Sequence, residues 1–245
     1  MKFAFMSFST PDLTLDEMLS LAEELGYEGI EPRLEAGHAH GISTGCTAAE
    51  RESMQERVEE SAVELACLAT SCRFCDPDER DTMMDRTRES VGLAADVGVP
   101  RIRVFGGQFP ENVDREGAIQ GLAESLTELA DYAAEREIKI CLETHDAWCN
   151  PDHVAEVMRR VGHPAVGVNW DIMHPVRTGE ATVGESFEAL RPWIYHLHVH
   201  DGIFEGGESV LKPIGEGEVD HLQAMHLLDA TGYEGYLSGE WINWE

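Results

Sequence analysis

Lysine is nearly absent from this chain: Lys2, Lys139 and Lys212 are the only three in 245 residues. Lys and Arg together number 18 against 47 carboxylates, a net charge of −29. Nucleic-acid binding draws its affinity from cations on phosphate, so this balance argues against a nucleic-acid partner. The acids are spread over helical stretches (Asp16, Glu17, Glu23 and Glu24; Glu52, Glu56, Glu59 and Glu60) and form no tail block, the pattern of a solvated acidic surface. Such a surface repels itself in dilute buffer, and the expectation is a cytoplasm rich in salt. Long apolar runs are also missing. No segment approaches the roughly 20 apolar residues that cross a bilayer, and residues 1–11 read as a first strand, not a signal peptide. The chain is therefore expected to be soluble and cytoplasmic, with no membrane partner. Paired cysteines are wanting too. Of the six, Cys67, Cys72 and Cys75 are close enough for a zinc knuckle, but no second Cys or His pair follows at finger spacing. Cys67 and Cys141 sit inside apolar strand patterns, as small hydrophobes do.

What the chain does have is alternation. Apolar strand-like runs cover 2–7, 29–33, 65–71, 101–105, 139–145, 166–171, 194–200 and 235–241. Amphipathic stretches lie between them at 14–25, 48–61, 80–97, 115–136, 152–161, 183–190 and 219–230. Several carry start and stop signals. Thr14 with Glu17 makes a capping box and Gly26 stands at the C-terminal position, while Asn150-Pro151 opens the fifth helix and Gly162 closes it. Strict alternation implies a parallel sheet. Eight strands in one domain, residues 1–245, predict an α/β fold of the (β/α)8 TIM-barrel kind; a doubly wound open sheet is the alternative. The last strand lies so near Glu245 that the last outer helix is expected to be short or missing. A bare patch of barrel wall would follow, which a second copy in a homo-oligomer would cover.

In such barrels the chemistry sits at the C-terminal ends of the strands. Four consecutive strands end in metal-ligand residue types: Glu143 in the fifth, Asp171 in the sixth, His196, His198 or His200 in the seventh, and Glu240 in the eighth. Period-two alternation puts Cys141, Glu143 and His145 on one face, and likewise His196, His198 and His200. Ile140, Leu142, Leu197 and Val199 take the opposite face and pack outward on the helices. Converging carboxylates repel one another and are costly to desolvate; a bound dication removes that cost.

The segments ICLETHD (140–146), VGVNWDIMHPVRTGE (166–180), IYHLHVHDG (194–202), PIGEGEVD (213–220) and GYEGYLSGEW (232–241) together resemble the xylose isomerase-like TIM-barrel family of sugar isomerases and epimerases, which shares its superfamily with the AP endonuclease family 2 enzymes. The resemblance covers most of the chain and is densest over 138–241. It implies a metal site of Glu143, Asp171, His198 and Glu240, with His198 preferred because it lies three residues before Asp201. It implies that Glu143 and Glu240 are the catalytic proton-transfer pair and that His174, three after Asp171, contacts substrate. Glu31 also recurs and is expected to face the pocket. His145 is a further candidate for the substrate oxygens, and Arg177 and Lys212 for a phosphate or carboxylate.

Three carboxylates and one imidazole suit one divalent ion, Mn²⁺ first, with Mg²⁺, Co²⁺ or Zn²⁺ as alternatives. The activity implied is isomerisation or epimerisation of a sugar, sugar phosphate or keto-polyol by enediolate proton transfer. The family's best-defined ketose epimerases carry a Glu six residues after the first ligand and an Arg after the seventh strand. Here those positions are Cys149 and Phe204. A metal-dependent dehydratase acting on an inosose or a dehydroshikimate is therefore the alternative, and a non-catalytic sugar-binding barrel a further one. A three-metal endonuclease of the superfamily would need more ligands: His38 and His40 follow the second strand, but the third offers Ser71, Cys72 and Arg73.

The charge pattern makes a first prediction. The thermal unfolding midpoint rises as KCl is taken from millimolar to molar concentration, because salt screens the surface repulsion. A midpoint that does not move with salt would refute the salt-adapted reading.

Overall fold

The computed structural model describes residues 1–111, 113–205 and 208–241. The strands are β1 (Lys2–Met6), β2 (Gly29–Glu31), β3 (Glu64–Leu65), β4 (Leu68–Arg73), β5 (Arg101–Phe105), β6 (Lys139–Glu143), β7 (Val166–Asp171), β8 (Ile194–Val199), β9 (Asp201–Glu205), β10 (Glu208–Lys212) and β11 (Tyr236–Gly239). The helices are α1 (Leu15–Leu25), α2 (Ala48–Glu59), α3 (Arg80–Asp96), α4 (Arg115–Ala134), α5 (Pro151–Val161), α6 (Met173–Arg177), α7 (Val183–Leu190) and α8 (His221–Ala230). Nine strands form one parallel sheet in the order β3-β2-β1-β11-β8-β7-β6-β5-β4.

The two ends of that sheet meet because β3 and β4 are a single stave broken at Ala66-Cys67. The Ala66 and Ala69 amides donate to the Ile30 and Pro32 carbonyls at 2.8 and 3.0 Å, and the Leu34 amide returns a bond to Ala69 at 2.9 Å. The other side of β4 pairs with β5, with a register shift between Ala69 and Arg73. The result is a TIM barrel of eight staves, not the open doubly wound sheet.

Local chemistry accounts for the helix limits. Thr14 and Glu17 form a reciprocal capping box at the start of α1, and Gly26 ends that helix at φ 78°. Asn150 caps α5 with Pro151 at its first position, and Gly162 closes it at φ 57°. The apolar face of α5, Val154, Ala155, Val157, Met158 and Val161, is buried on the sheet, and each large side chain so buried stabilises by roughly 1.5–3 kcal/mol. Two elements depart from the sequence reading. Helix α6 follows β7 directly because the Asp171 carboxylate accepts the Met173 and His174 amides, both at 2.9 Å. Strands β9 and β10 make an antiparallel hairpin after β8, in a stretch that none of the strand or helix patterns covers. All six cysteines are free, and no cysteine joins a metal-competent group among the described residues. No described helix is long and apolar enough to cross a membrane.

Outside the barrel, between α8 and the β11–β1 pair, lies an apolar recess of about 230 Å³ lined by Phe3, Tyr27, Met225, Leu228 and Trp241 among others. The expectation of a short or absent final helix falls on residues 242–245, outside the described residues.

Beneath the mouth, the fully buried Trp148 donates its indole N–H to Cys75 Sγ at 3.2 Å. It fits because Gly106 has no side chain: a Cβ there would stand 2.1 Å from Trp148 Nε1. Gly106→Ala is expected to cost about 1–3 kcal/mol through overpacking, read as a lower urea midpoint with an unchanged slope. An unchanged midpoint would mean that the contact is not tight.

Candidate functional site

Three layers of inward-facing side chains stack up the barrel axis. The lowest holds Glu31, His196 and Arg101. Glu31 lies against His196 Nε2 at 2.8 Å and His198 Nε2 at 3.0 Å, and Arg101 Nη1 is 3.4 Å from His196 Nδ1. The middle layer holds Glu143, Asp171, His198 and Glu240, from β6, β7, β8 and the residue after β11. Their ligand atoms all lie within 4.8 Å of one another. His198 Nδ1 is 3.0 Å from Glu143 Oε1 and 3.2 Å from Glu240 Oε2. The β7–β8 register sets Asp171 opposite His198, and the β8–β11 register sets Ser238, two before Glu240, beside it. The rim layer is a row of imidazoles. His145 meets His174 edge-on at 4.4 Å, and His174 meets His200 at 5.2 Å.

All four middle-layer residues are buried, so their charges are strongly coupled. Burial opposes ionisation of Glu143, but Arg103 and then His198 outweigh it and hold the carboxyl below its usual range. Asp171 and Glu240 are likewise held low against burial, Asp171 by His174 and His200, Glu240 by His198. Burial also opposes an imidazolium at His198, yet Glu31 and Glu143 push it well above the ordinary histidine value. In this state a proton on Nδ1 serves as the cation that the carboxylates surround.

The cluster fits a dication. Glu143 Oε2 and Glu240 Oε2 are buried without an aligned hydrogen bond, and three carboxylates with one imidazole are a common donor set for such ions. Glu31 completes the fit. It takes the Nε2 side of His198, which leaves Nδ1 facing Glu143 and Glu240; a carboxylate behind a ligand imidazole fixes its tautomer and orientation in this way. On the other side, His200 Nε2 lies 2.8 Å from Asp171 Oδ2 and orients that carboxylate.

The remaining residues named from the sequence fall in different places. His174 is buried at the rim, and Arg177 Nε donates to its Nδ1 at 3.2 Å. An arginine N–H can only donate, so neutral His174 carries its hydrogen on Nε2. That atom is 3.8 Å from Asp171 Oδ2, too far for a hydrogen bond, and is thus a donor free for a substrate oxygen. Burial, against the pull of Asp171, brings His174 down to about 4 and keeps it neutral. His145 stands beside Phe105, with Nδ1 3.0 Å from Asp146. Glu31 is fully buried and meets His196 and His198 one layer below Glu143 and Glu240. Lys212 is half-buried on the hairpin, in register with Asp201. A polar recess of about 400 Å³ opens next to His145, with Asp146, Gln108, Phe109 and Arg73 in its wall.

Sequence reading missed several residues. Arg103 is buried with Nε 3.1 Å from Glu143 Oε2, its Nη1 on the Thr70 carbonyl and its guanidinium over the Phe105 ring. The signal was present in RIRVF (101–105), where Arg101 and Arg103 alternate with Ile102 and Val104. Arg33 sits at the end of the second stave, bonded to two carbonyls and Ser71. Asp201 is a structural anchor: its carboxylate accepts the amides of Gly202, Gly215, Gly217 and Val219, which ties the 213–220 segment to the end of β8.

A family model described as xylose isomerase-like TIM barrel matches residues 19–245. A 3-dehydroshikimate dehydratase from Bacillus anthracis is 23% identical over 97% of this chain and 89% of its own length. A putative hydroxypyruvate isomerase from Xenopus laevis is 23% identical over 67% of this chain and 62% of its own. The IolI protein, whose crystal structure holds a zinc atom, superposes with a TM-score of 0.81 at 20% identity, over 98% of this chain and 88% of that one. Sequence match, eight-stave barrel and strand-end cluster agree, and this chain belongs to the xylose isomerase-like TIM-barrel family.

Proposed function

We propose that this protein is a divalent-metal-dependent enzyme that moves a proton next to the carbonyl of a small polyhydroxylated substrate, as a sugar isomerase or epimerase. The observation that carries this reading is the convergence of Glu143, Asp171, His198 and Glu240 on one point. The same residues would hold the ion, with Mn²⁺ favoured over a closed zinc site by the oxygen-rich donor set. When bound, such an ion supplies Lewis-acid polarisation of the substrate's oxygens.

The chain's own residues do the rest. Glu143 and Glu240 come from staves separated by β7 and β8, so they flank the substrate position. One carboxylate takes the proton and the other returns it to the opposite face or the adjacent carbon. Arg103 and His198 hold Glu143 ionised, as a base must be. The Nε2–H of His174 donates to the carbonyl oxygen, with Arg177 fixing that tautomer. Phe105, His145 and His174 close the side of the site.

Dehydration is the second reading, and specific observations favour it. Cys149 is buried with its thiol on the Asp146 carbonyl, and Phe204 lies in β9; neither supplies the Glu or the Arg of the ketose epimerases. The dehydratase relative also spans nearly the whole chain. Proton removal is common to both readings, and loss of a β-hydroxyl in place of reprotonation separates them.

Elemental analysis of protein dialysed in high salt is expected to find about one Mn or similar ion per chain, the stoichiometry of a four-ligand site. No uptake even with added Mn²⁺ would remove the mechanism. Ligand binding that survives chelation would favour a sugar-binding barrel. Metal binding should release about one proton, because Nδ1 of His198 must be deprotonated to ligate. Apparent affinity then rises with pH, measured by calorimetry in two buffers of different ionisation enthalpy; no proton release would show that His198 is not a ligand. Glu31→Gln should weaken the metal by about 10–100-fold. Glu143→Gln should lower turnover at least about 100-fold, and a variant that turned over normally would refute its role.

A further inference from the structure

Arg33 stands two residues after Glu31 and so shares its inward direction. It bridges to Ala69 of β4. Nη1 donates to the Leu34 and Ala69 carbonyls at 2.7 and 3.0 Å, and Nη2 to Ser71 Oγ at 2.6 Å. All three acceptors are neutral. Of the five N–H donors of a guanidinium, the Nε–H and one Nη2–H remain. Arg33 is only half-buried, so these are open to the mouth. Arg103 bonds the next carbonyl of the same strand, Thr70, and the two guanidiniums are near enough to repel one another.

The carboxylates around them are largely committed to other cations. Arg103 pairs with Glu143 at 3.1 Å, and a dication together with Arg103 offsets Glu143, Asp171 and Glu240. Glu31, one layer lower, faces Arg101 across His196. Glu35 is taken by Arg86, and Asp146 faces His145. No described carboxylate lies within ion-pair distance of Arg33, in a chain that has 18 cations against 47 acids. Burial, and then repulsion from Arg103, bring the Arg33 guanidinium down to about 10 against the longer-range pull of Glu35, Glu143 and Glu240. An anion beside it would relieve both effects. Leaving a cation unpaired and next to a like charge is a standing cost, and a negatively charged ligand removes it.

We infer that Arg33, with Arg103 beside it, is the binding point for a compact oxyanion on the substrate, so that the enzyme takes an acidic polyhydroxylated ketone and not a neutral sugar. The inference rests on the metal-dependent reading above and narrows its substrate class. Of the cations named from the sequence for this task, Arg177 has its Nε–H on His174 at the opposite side of the mouth, where its remaining donors are the rival anchor that an acid preference surviving in Arg33→Gln would point to, and Lys212 lies on the β9–β10 hairpin. A carboxylate suits the two free N–H groups as a bidentate partner, and a phosphate ester shares that chemistry.

Probes that differ only in charge test it. The Mn²⁺-loaded full chain would be titrated by calorimetry with shikimate and its neutral methyl ester, and with ribulose 5-phosphate and ribulose. In the wild type, at least one acid should bind roughly 10- to 100-fold tighter than its neutral counterpart, the range for hydrogen bonds to a charged group. Preference within the first pair alone identifies a carboxylate, and within the second alone a phosphate. Arg33→Gln should erase the preference by weakening the acid far more than the neutral probe, while Arg33→Lys should keep part of it. Equal binding within both pairs, no binding of either acid, or a preference intact in Arg33→Gln would overturn the inference. Mn²⁺ stoichiometry in the same samples reports on the variants' folding and on the metal reading separately. If Arg33→Gln fails to take up Mn²⁺, the wild-type comparison and Arg33→Lys decide.

Discussion

Every feature of the barrel mouth depends on the enclosure of one imidazole, His198, by carboxylates. Glu31 holds it from below, and Glu143 and Glu240 face it from the side. None of these charges is tolerable alone at that depth. The arrangement persists because each carboxylate has a cation in reach and because the parallel register of β6, β7, β8 and β11 fixes where each one stands. On the proposed reading a divalent ion would take the electrostatic position that a proton on His198 otherwise holds, which is why metal uptake is expected to release a proton.

Around this centre the supporting residues divide by height. Arg101 and His196 buttress Glu31 from beneath, so the ligand imidazole is oriented by groups that never meet substrate. Arg103 spans the ligand layer and the Phe105 ring. At the rim, Arg177 settles which nitrogen of His174 carries hydrogen, and this makes a neutral histidine a donor. On the proposed reading, the order from base to rim is positioning, then metal binding and proton transfer, then recognition. Asp201 secures the rim from outside by gathering four amides of the chain that follows the hairpin; a Cβ at Gly217 would stand 2.1 Å from its Oδ1.

Much of the site was legible in the sequence because period-two alternation survives in a buried strand whenever the inner face must be polar. His196, His198 and His200 alternate with Leu197 and Val199, and Glu143 follows Leu142. The same signal was present at Arg101 and Arg103 and went unread, since a cation in a strand does not by itself point to a metal site. Arg33 was hidden for another reason. It lies past the last ladder residue of β2, after Pro32, and its place is set by a bridge to Ala69 across a break in the third stave. That break leaves no trace in the hydrophobic pattern of 65–71.

The sequence by itself determined the number of staves, the helix starts and stops at Thr14, Gly26, Asn150 and Gly162, and the strand ends that carry Glu143, Asp171, the 196–200 histidines and Glu240, because these follow from local periodicity and capping chemistry; the choice of His198 among the histidines came from the family resemblance. Only the tertiary structure decided which groups stand behind those residues, that Glu31 meets His198 from below, and that Arg33 and Arg103 bond successive carbonyls of β4. These are contacts between staves far apart in the chain, and barrel closure and register set them, not any local preference of the residues involved.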